Sequence, residues 1–212
     1  LKPSITLAQL ESFTFQQQTG REASALVSFL AGVIEYRNNN YKSALERFDA
    51  ALSNISLEPR LFESLVYIYF YRANTNIYLK DCKFAVQDFD QFIQLNSRQA
   101  EAYNNRGGAY FCLGEYQIAL QDFRKAIQID PQYADAYYNS GVAYTSLNNY
   151  KLAIQEYNKA IELDPQDAIN YKSRGDAYNS LGEYKLSIQD YGQSIIYEPQ
   201  YAEAYSSRGI AY

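Results

Sequence analysis

The chain has 212 residues, a formal net charge of −5 and no histidine. The lack of histidine excludes Ser-His-Asp and Cys-His catalysis and every metal site that needs an imidazole ligand. The acidic balance, without a long basic run, argues against a protein that follows nucleic-acid phosphates, and no apolar run reaches the roughly 20 residues of a membrane span.

Residues 1–20 do not share the periodicity of the rest of the chain. Ser4 and Thr6 are candidate caps for a helix over residues 7–18, and Gly20 is a candidate for its end. We expect this segment to form an N-terminal capping or linker helix.

From about residue 25 the sequence repeats itself. Three sets of residues recur every 34 positions: Pro131, Pro165 and Pro199; Gly107, Gly141, Gly175 and Gly209; and Tyr103, Tyr137, Tyr171 and Tyr205. A fixed period of about 34 predicts stacked helix–turn–helix units. We predict units starting near residues 25, 66, 100, 134 and 168, an incomplete one at 202, and an insertion at about 54–60.

The recurring residue types have physical reasons for their spacing. A small residue such as Gly107 lets two helices approach closely, and Phe123 fills the volume between them. Gly114, Gly182 and Asn148 follow the first helix of their units and suit the left-handed backbone conformation that ends a helix.

These positions resemble the tetratricopeptide repeat family from about Ala25 to the end of the chain. The resemblance implies an all-α fold, a right-handed α-α superhelix (solenoid) over residues 21–212. In that family the first helices of the repeats line a concave groove that binds a peptide or a partner helix.

The groove positions of the family can be transferred residue by residue. The transfer gives Tyr67, Phe70, Tyr71, Asn74, Asn104, Asn105, Tyr138, Asn139, Lys172 and Asn179 as partner-binding candidates. Asparagine amides can donate and accept hydrogen bonds, so they can read an extended peptide backbone, while aromatic faces supply anchors.

Some members of the family grip the C-terminal carboxylate of a chaperone tail with lysine, arginine and asparagine side chains. Here Asn105 and Asn139 match that pattern, but Glu101 and Asp135 stand at positions where basic residues would be needed. The sequence therefore disfavours this mode of binding.

Arginine recurs just before the small residue of the first helix, at Arg72, Arg106, Arg174 and Arg208. Aspartate recurs in the second helices, at Asp88, Asp122 and Asp190, and the fourth repeat has Ser140 and Glu156 instead. We predict arginine–carboxylate pairs between neighbouring helices rather than a ladder for acidic ligands.

The sequence thus predicts a non-catalytic scaffold without metal or cofactor, which binds a protein or peptide and neither nucleic acid nor membrane. We expect a cytoplasmic location, because Cys82 and Cys112 lack CxxC spacing and fit apolar fillers in a reducing compartment. Two alternatives stay open. The chain could be a sensor or substrate-docking arm cut from a larger enzyme, such as a signalling ATPase, glycosyltransferase or protease. It could also self-associate end to end through the incomplete repeat at 202–212.

Overall fold

A computed structural model describes residues 20–54 and 62–212, and within these ranges the chain is all α-helical. The eleven helices of the described ranges are α1 (Gly20–Arg37), α2 (Tyr41–Asn54), α3 (Phe62–Tyr78), α4 (Cys82–Leu95), α5 (Ala100–Cys112), α6 (Tyr116–Ile129), α7 (Ala134–Ser146), α8 (Tyr150–Leu163), α9 (Ala168–Ser180), α10 (Tyr184–Tyr197) and α11 (Ala202–Ala211). The predicted fold class is confirmed. Most of the predicted N-terminal helix and of the insertion at 54–60 lies outside the described residues, and Gly20 begins α1 rather than ending a helix.

The chain forms two compact units, residues 1–97 (unit 1) and residues 98–212 (unit 2). In both units, helices that are joined by three-residue turns pack against each other as pairs: α1 with α2, α3 with α4, α5 with α6, α7 with α8, and α9 with α10. Turns this short return the chain antiparallel. Each pair is one helix–turn–helix repeat.

The first helices of consecutive repeats also contact one another. In unit 2, α5 contacts α7, α7 contacts α9, and α9 contacts α11; in unit 1, α1 contacts α3. Each unit therefore has a side built from first helices, which we call its first-helix face. This face is where the family's groove residues are expected.

The turn inside each repeat uses a left-handed residue. Gly114 and Gly182 have φ of +78°, and Asn148 has φ of +58°, as the sequence predicted. Lys80 takes the same conformation with φ of +64° although it has a Cβ atom.

The turns between repeats of unit 2 depend on an acidic residue followed by proline and on a tyrosine. Asp130 is extended, with φ of −132°, because the following Pro131 disfavours helical angles. The Tyr137 hydroxyl donates to the Pro131 carbonyl at 3.5 Å, and Tyr171 and Tyr205 bond their equivalent prolines at 3.1 and 3.3 Å. This tyrosine position is therefore structural.

Close contact between a glycine and an aromatic ring holds the two helices of a repeat together. A Cβ atom added at Gly107 would lie 2.6 Å from Phe123 Cε1, and one at Gly141 would lie 2.5 Å from Tyr157 Cε1. Both rings are almost fully buried. The predicted close approach is present.

The two cysteines differ from the expectation drawn from their spacing. Neither Cys82 nor Cys112 is a free thiol. The expectation that both are reduced apolar fillers is therefore wrong.

As for membranes, no helix in the part of the chain that the structure covers combines the length and the apolar character needed to cross one.

The core of the fifth repeat is more polar than that of its neighbours. Ser194 stands where the third and fourth repeats have Ala126 and Ala160, and it is fully buried. Its hydroxyl oxygen has no hydrogen-bond partner, and neither has the Oδ1 atom of Asn170 in α9, which is 2% exposed. A buried polar atom without a partner destabilises the folded state.

Neighbouring glycines in α5 give a matched test of the close helix approach. Gly107→Ala should lower the free energy of unfolding by about 1–3 kcal/mol, because the new methyl group overlaps the Phe123 ring. Gly108→Ala should raise it by about 0.5–1 kcal/mol, since that Cβ position meets no atom within 4 Å apart from its chain neighbours and the backbone of its own helix. Urea denaturation measures both, and equal effects would contradict the packing argument.

Removing the unpartnered hydroxyl should stabilise the fifth repeat. We expect Ser194→Ala to raise the free energy of unfolding by about 1 kcal/mol, because desolvation of the hydroxyl is no longer required. The exposed Ser180→Ala is the control and should change it by less than about 0.5 kcal/mol. A destabilised Ser194→Ala protein would show that the hydroxyl has a bonding partner in solution.

Candidate partner-binding surface

The candidates of unit 1 divide between the core and its edge. Phe70 is 6% exposed, and its ring lies 5.1 Å from that of Phe92, so it belongs to the core. Tyr67 and Tyr71 are half-buried at the edge of the core cluster. The amide of Asn74 donates to the backbone carbonyl of Phe70 at 2.9 Å. A partner has access to the two tyrosines and far less to Phe70.

Tyr71 belongs to a cluster of tyrosines that the sequence analysis did not recognise. Tyr41 and Tyr78 stack with their ring centroids 4.4 Å apart, and Tyr36 meets Tyr71 and Tyr78 edge-on at 5.7 and 5.9 Å. Burial, and then the neighbouring Tyr78, raise the pKa of the Tyr36 phenol. The sequence feature that could have indicated this cluster is the position of its aromatic residues, which flank one short turn and the end of α3.

In unit 2, three asparagines form a chain of amides across α5 and α7. Asn139 Nδ2 donates to Asn104 Oδ1 at 2.9 Å, and Asn104 Nδ2 donates to Asn105 Oδ1 at 3.2 Å. Asn104 Nδ2 also lies 3.4 Å from the Tyr133 hydroxyl, and the whole Asn104 residue is 6% exposed. We call Asn104, Asn105 and Asn139 the amide chain. The structure thus brings three predicted site residues together.

Acidic groups lie on the same two helices as the amide chain. Burial raises the pKa of the Glu101 carboxyl. Burial, followed by the negative charges of Glu101 and Asp135, raises the pKa of the Tyr133 phenol. A surface with these charges repels an anionic ligand, which agrees with the missing carboxylate clamp.

The remaining candidates of unit 2 lie on α7 and α9. Tyr138 is half-buried, with its ring 5.9 Å from that of Tyr157. Lys172 Nζ lies 2.8 Å from Asp176 Oδ2; burial alone would lower the pKa of Lys172, but the bond to Asp176 raises it. Asn179 is half-buried in the last turn of α9. Because Asp176 already compensates its charge, Lys172 is a weak attractor for anions.

The predicted arginine–carboxylate pairs are present. Arg174 donates to both carboxylate oxygens of Asp190, each at 2.7 Å, and Arg106 binds Asp122 in the same way. In unit 1, Arg72 binds Asp88 at 2.6 and 2.9 Å. Bidentate pairs of this kind fix the geometry of both partners. The aspartates are buried, so the pairs form a polar part of the core.

Arg174 and Arg72 also reach the second helix of the preceding repeat. Arg174 Nη1 donates to Asn158 Oδ1 at 2.7 Å, and in unit 1 Arg72 Nη1 contacts Asp49 Oδ1 at 2.7 Å. The guanidinium groups therefore link helix pairs as well as helices within a pair.

The fourth repeat exchanges the positions of the charges. It has Ser140 in place of arginine and Glu156 in place of aspartate, while Arg124 of the preceding α6 stands at the position of Asn158. Burial raises the pKa of the Glu156 carboxyl, and the positive charge of Arg124 opposes that rise. The positive charge thus stands on the second helix of the third repeat instead of on the first helix of the fourth.

Among the described residues, no group of three histidine, cysteine, aspartate or glutamate side chains is placed to hold a metal ion. The carboxylates whose partners the structure shows form salt bridges or accept hydrogen bonds within turns. The surface is suited to recognition through aromatic and amide groups.

Comparison with known proteins agrees with this organisation. A family model described as "Tetratricopeptide repeat" matches residues 100–133 and 134–167, and one described as "TPR repeat" matches residues 175–212. The chain belongs to the tetratricopeptide repeat family. No curated protein matches it.

Several solved structures are similar. MamA shares 25% identity over 85% of this chain and 94% of its own, with a TM-score of 0.69. YrrB, "a TPR protein with an unusual peptide-binding site", shares 16% identity over 90% and 94%, with a TM-score of 0.68. TTC0263, a thermophilic TPR protein of Thermus thermophilus, shares 19% identity over 88% and 98%, with a TM-score of 0.67. At these identities the last two likenesses show the fold alone.

The buried pair of unit 2 should be important for stability. We expect Arg174→Gln to lower the free energy of unfolding by about 3 kcal/mol, because Asp190 would stay buried without its cation. The exposed pair Lys159–Glu162 is the control, and Lys159→Gln should cost less than about 0.5 kcal/mol.

Chemical denaturation of both variants and of the Arg174→Gln/Asp190→Asn double variant provides the measurement. The double variant should recover part of the loss, since its buried amide is neutral. Indistinguishable Arg174→Gln and Lys159→Gln proteins would rule out a structural role for the pair.

Proposed function

We propose that this chain is a non-catalytic interaction scaffold that binds an extended peptide or a partner helix on its first-helix faces. The observation that carries the proposal is the amide chain of unit 2, which lies beside Tyr138 on two adjacent first helices. Membership of a family of protein-interaction repeats supports it. YrrB, which has this fold, is described as having a peptide-binding site.

The amide chain is suited to reading a peptide backbone. An amide side chain has two N–H donors and a carbonyl acceptor, so its internal hydrogen bonds do not exhaust its capacity. The bond from Asn139 to Asn104 at 2.9 Å holds the two groups in fixed orientations before a ligand arrives. Groups ordered in advance lose less entropy on binding, which improves affinity.

Aromatic residues supply the anchors in this proposal. In unit 2 the half-buried Tyr138 presents a ring next to Asn139. In unit 1 the tyrosine cluster of Tyr36, Tyr41, Tyr71 and Tyr78 offers apolar area, and Tyr78 is 57% exposed. Large rings of this type dominate binding energies at protein interfaces.

The charges favour a neutral or basic ligand over an acidic one. Glu101 and Asp135 lie near the amide chain, and the charge of Lys172 is compensated by Asp176. A ligand with an acidic tail would meet repulsion at this face.

The cellular location and the self-association of the chain are also proposals. The cytoplasmic location stays a proposal from the sequence, and the cysteines do not support it, because neither is a free thiol. End-to-end association through residues 202–212 is also a prediction from the sequence.

A peptide-library selection tests the groove proposal. The wild-type chain should select peptides with micromolar affinity, without an acidic C-terminal motif, because a few aromatic anchors and amide bonds supply the binding energy. A variant with Asn104, Asn105, Tyr138 and Asn139 changed to alanine should bind the selected peptides at least about tenfold more weakly.

The matched control changes four exposed residues of α6 to alanine: Gln117, Gln121, Lys125 and Gln128. It should bind as the wild type does. Because Asn104 is buried, melting curves check the fold of each variant, and the single variants Asn105→Ala and Tyr138→Ala should each weaken binding without unfolding. Selected peptides that bind the fourfold variant as tightly as the wild type would refute the proposal.

A further inference from the structure

One repeat lacks a tyrosine that the later repeats have. Four of them carry a tyrosine near the end of the first helix, at Tyr110, Tyr144, Tyr178 and Tyr212, whereas the second repeat has Asn76 at the equivalent position. In unit 2, Tyr110 and Tyr144 fill space beside the core: Tyr110 packs against one core cluster and Tyr144 against two. A smaller side chain at this position leaves that space open.

A cavity of about 400 Å³ lies beside Asn76 in unit 1. Its polar lining includes Asp49, Arg72, Asn76, Asp81 and Asp88, and Phe84 lies at its edge with 61% of its surface exposed. This volume is within the range of roughly 300–1,000 Å³ that ligand pockets have.

Unit 2 shows what occupies the equivalent space. The guanidinium of Arg174 lies over two rings, 5.6 Å from the centroid of Tyr171 and 6.0 Å from that of Tyr178. In unit 1, Arg72 lies over Tyr69 at 5.8 Å, and Asn76 stands in the place of the second ring. An aromatic ring that enters the cavity can therefore meet Arg72 as Tyr178 meets Arg174.

Arg72 is fixed in a position that suits this contact. Its guanidinium is held by Asp88 at 2.6 and 2.9 Å and by Asp49 at 2.7 Å. Asn76 is 3% exposed and lies 3.4 Å from Asp88 Oδ2. The wall of the cavity is thus ordered before any ligand binds, which reduces the entropic cost of binding.

The charges of the lining select among aromatic ligands. The lining has three carboxylates, those of Asp49, Asp81 and Asp88, and one cation, that of Arg72. The excess negative charge favours a positive group next to the ring. Phe84 replaces the aliphatic residues Ile118, Leu152 and Leu186 of later repeats and offers a second aromatic surface.

We propose that this cavity is a second partner-binding site, which takes an aromatic side chain flanked by lysine or arginine in a protein partner. The ring occupies the place of the missing tyrosine, between Arg72 and Phe84, and the flanking cation lies near Asp49 and Asp81.

The site is separate from the candidates on the first-helix face of unit 1. Successive residues of a helix are about 100° apart around its axis, so Arg72 and Asn76 are on the side of α3 away from Asn74. None of the lining residues belongs to the groove candidates. Both sites could therefore be occupied by one partner or by two.

Titration of the isotopically labelled chain with the acetylated, amidated tripeptide Lys-Tyr-Lys tests the inference. We expect saturable chemical-shift changes at the side-chain amide of Asn76 and at the backbone of α3 and α4. The tripeptides Lys-Ala-Lys and Glu-Tyr-Glu should each bind about tenfold more weakly, because the first lacks the ring and the second reverses the charge.

The decisive variant is Asn76→Tyr, which introduces the residue of the later repeats. It should fill the cavity, keep or raise the melting temperature, and abolish the shifts. Phe84→Ala changes an exposed side chain and should weaken binding severalfold without affecting the fold. The fourfold groove variant should bind the tripeptide as the wild type does, so this test is independent of the proposal for the groove.

Three results would overturn the inference. The first is a wild-type chain in which the Lys-Tyr-Lys tripeptide shifts no signal of α3 or α4. The second is equal binding by the folded Asn76→Tyr protein. The third is a Lys-Ala-Lys tripeptide that binds as tightly as Lys-Tyr-Lys, which would show that charge alone accounts for the binding.

Discussion

Four of the repeats depend on one steric contact, the placement of an aromatic ring directly on a residue without a side chain. With Phe123 against Gly107 and Tyr157 against Gly141, the two helices of a repeat lie as close as their backbones permit. Interiors are packed too densely to absorb an added methyl group there. The separation of the helices then sets the length of the turn between them and the side on which the next repeat can pack.

Polar groups inside this packing are arranged around arginine. Each Arg–Asp pair supplies hydrogen-bond partners to a buried carboxylate and also joins two helices. A purely apolar contact could join the helices too, but with less directional preference. The same guanidinium in Arg174 contacts Asn158 of the neighbouring repeat. Charge therefore defines which helix faces which, while the ring–glycine contact supplies the close packing.

Features that depend on the period were predictable, and features that depend on single side chains were not. The 34-residue spacing places Arg174 and Asp190 on adjacent helices, so their pairing and the left-handed Gly114, Gly182 and Asn148 could be predicted. The burial of Phe70 and the stacking of Tyr41 on Tyr78 depend on side-chain rotamers and local packing, which the period does not determine. For the same reason, the candidates Asn104 and Asn139 could be chosen from the resemblance, but their mutual hydrogen bond could not.

The exchange of charges in the fourth repeat gives the repeats a fixed order. If the fourth repeat were lost by recombination, Arg174 of the fifth would follow the third repeat directly and would face Arg124 instead of Asn158. If the fourth repeat were duplicated, the Glu156 of the second copy would face an asparagine instead of Arg124. The first event would bring two cations together, and the second would leave the half-buried Glu156 without its partner. This array therefore cannot gain or lose that repeat as freely as one with identical interfaces.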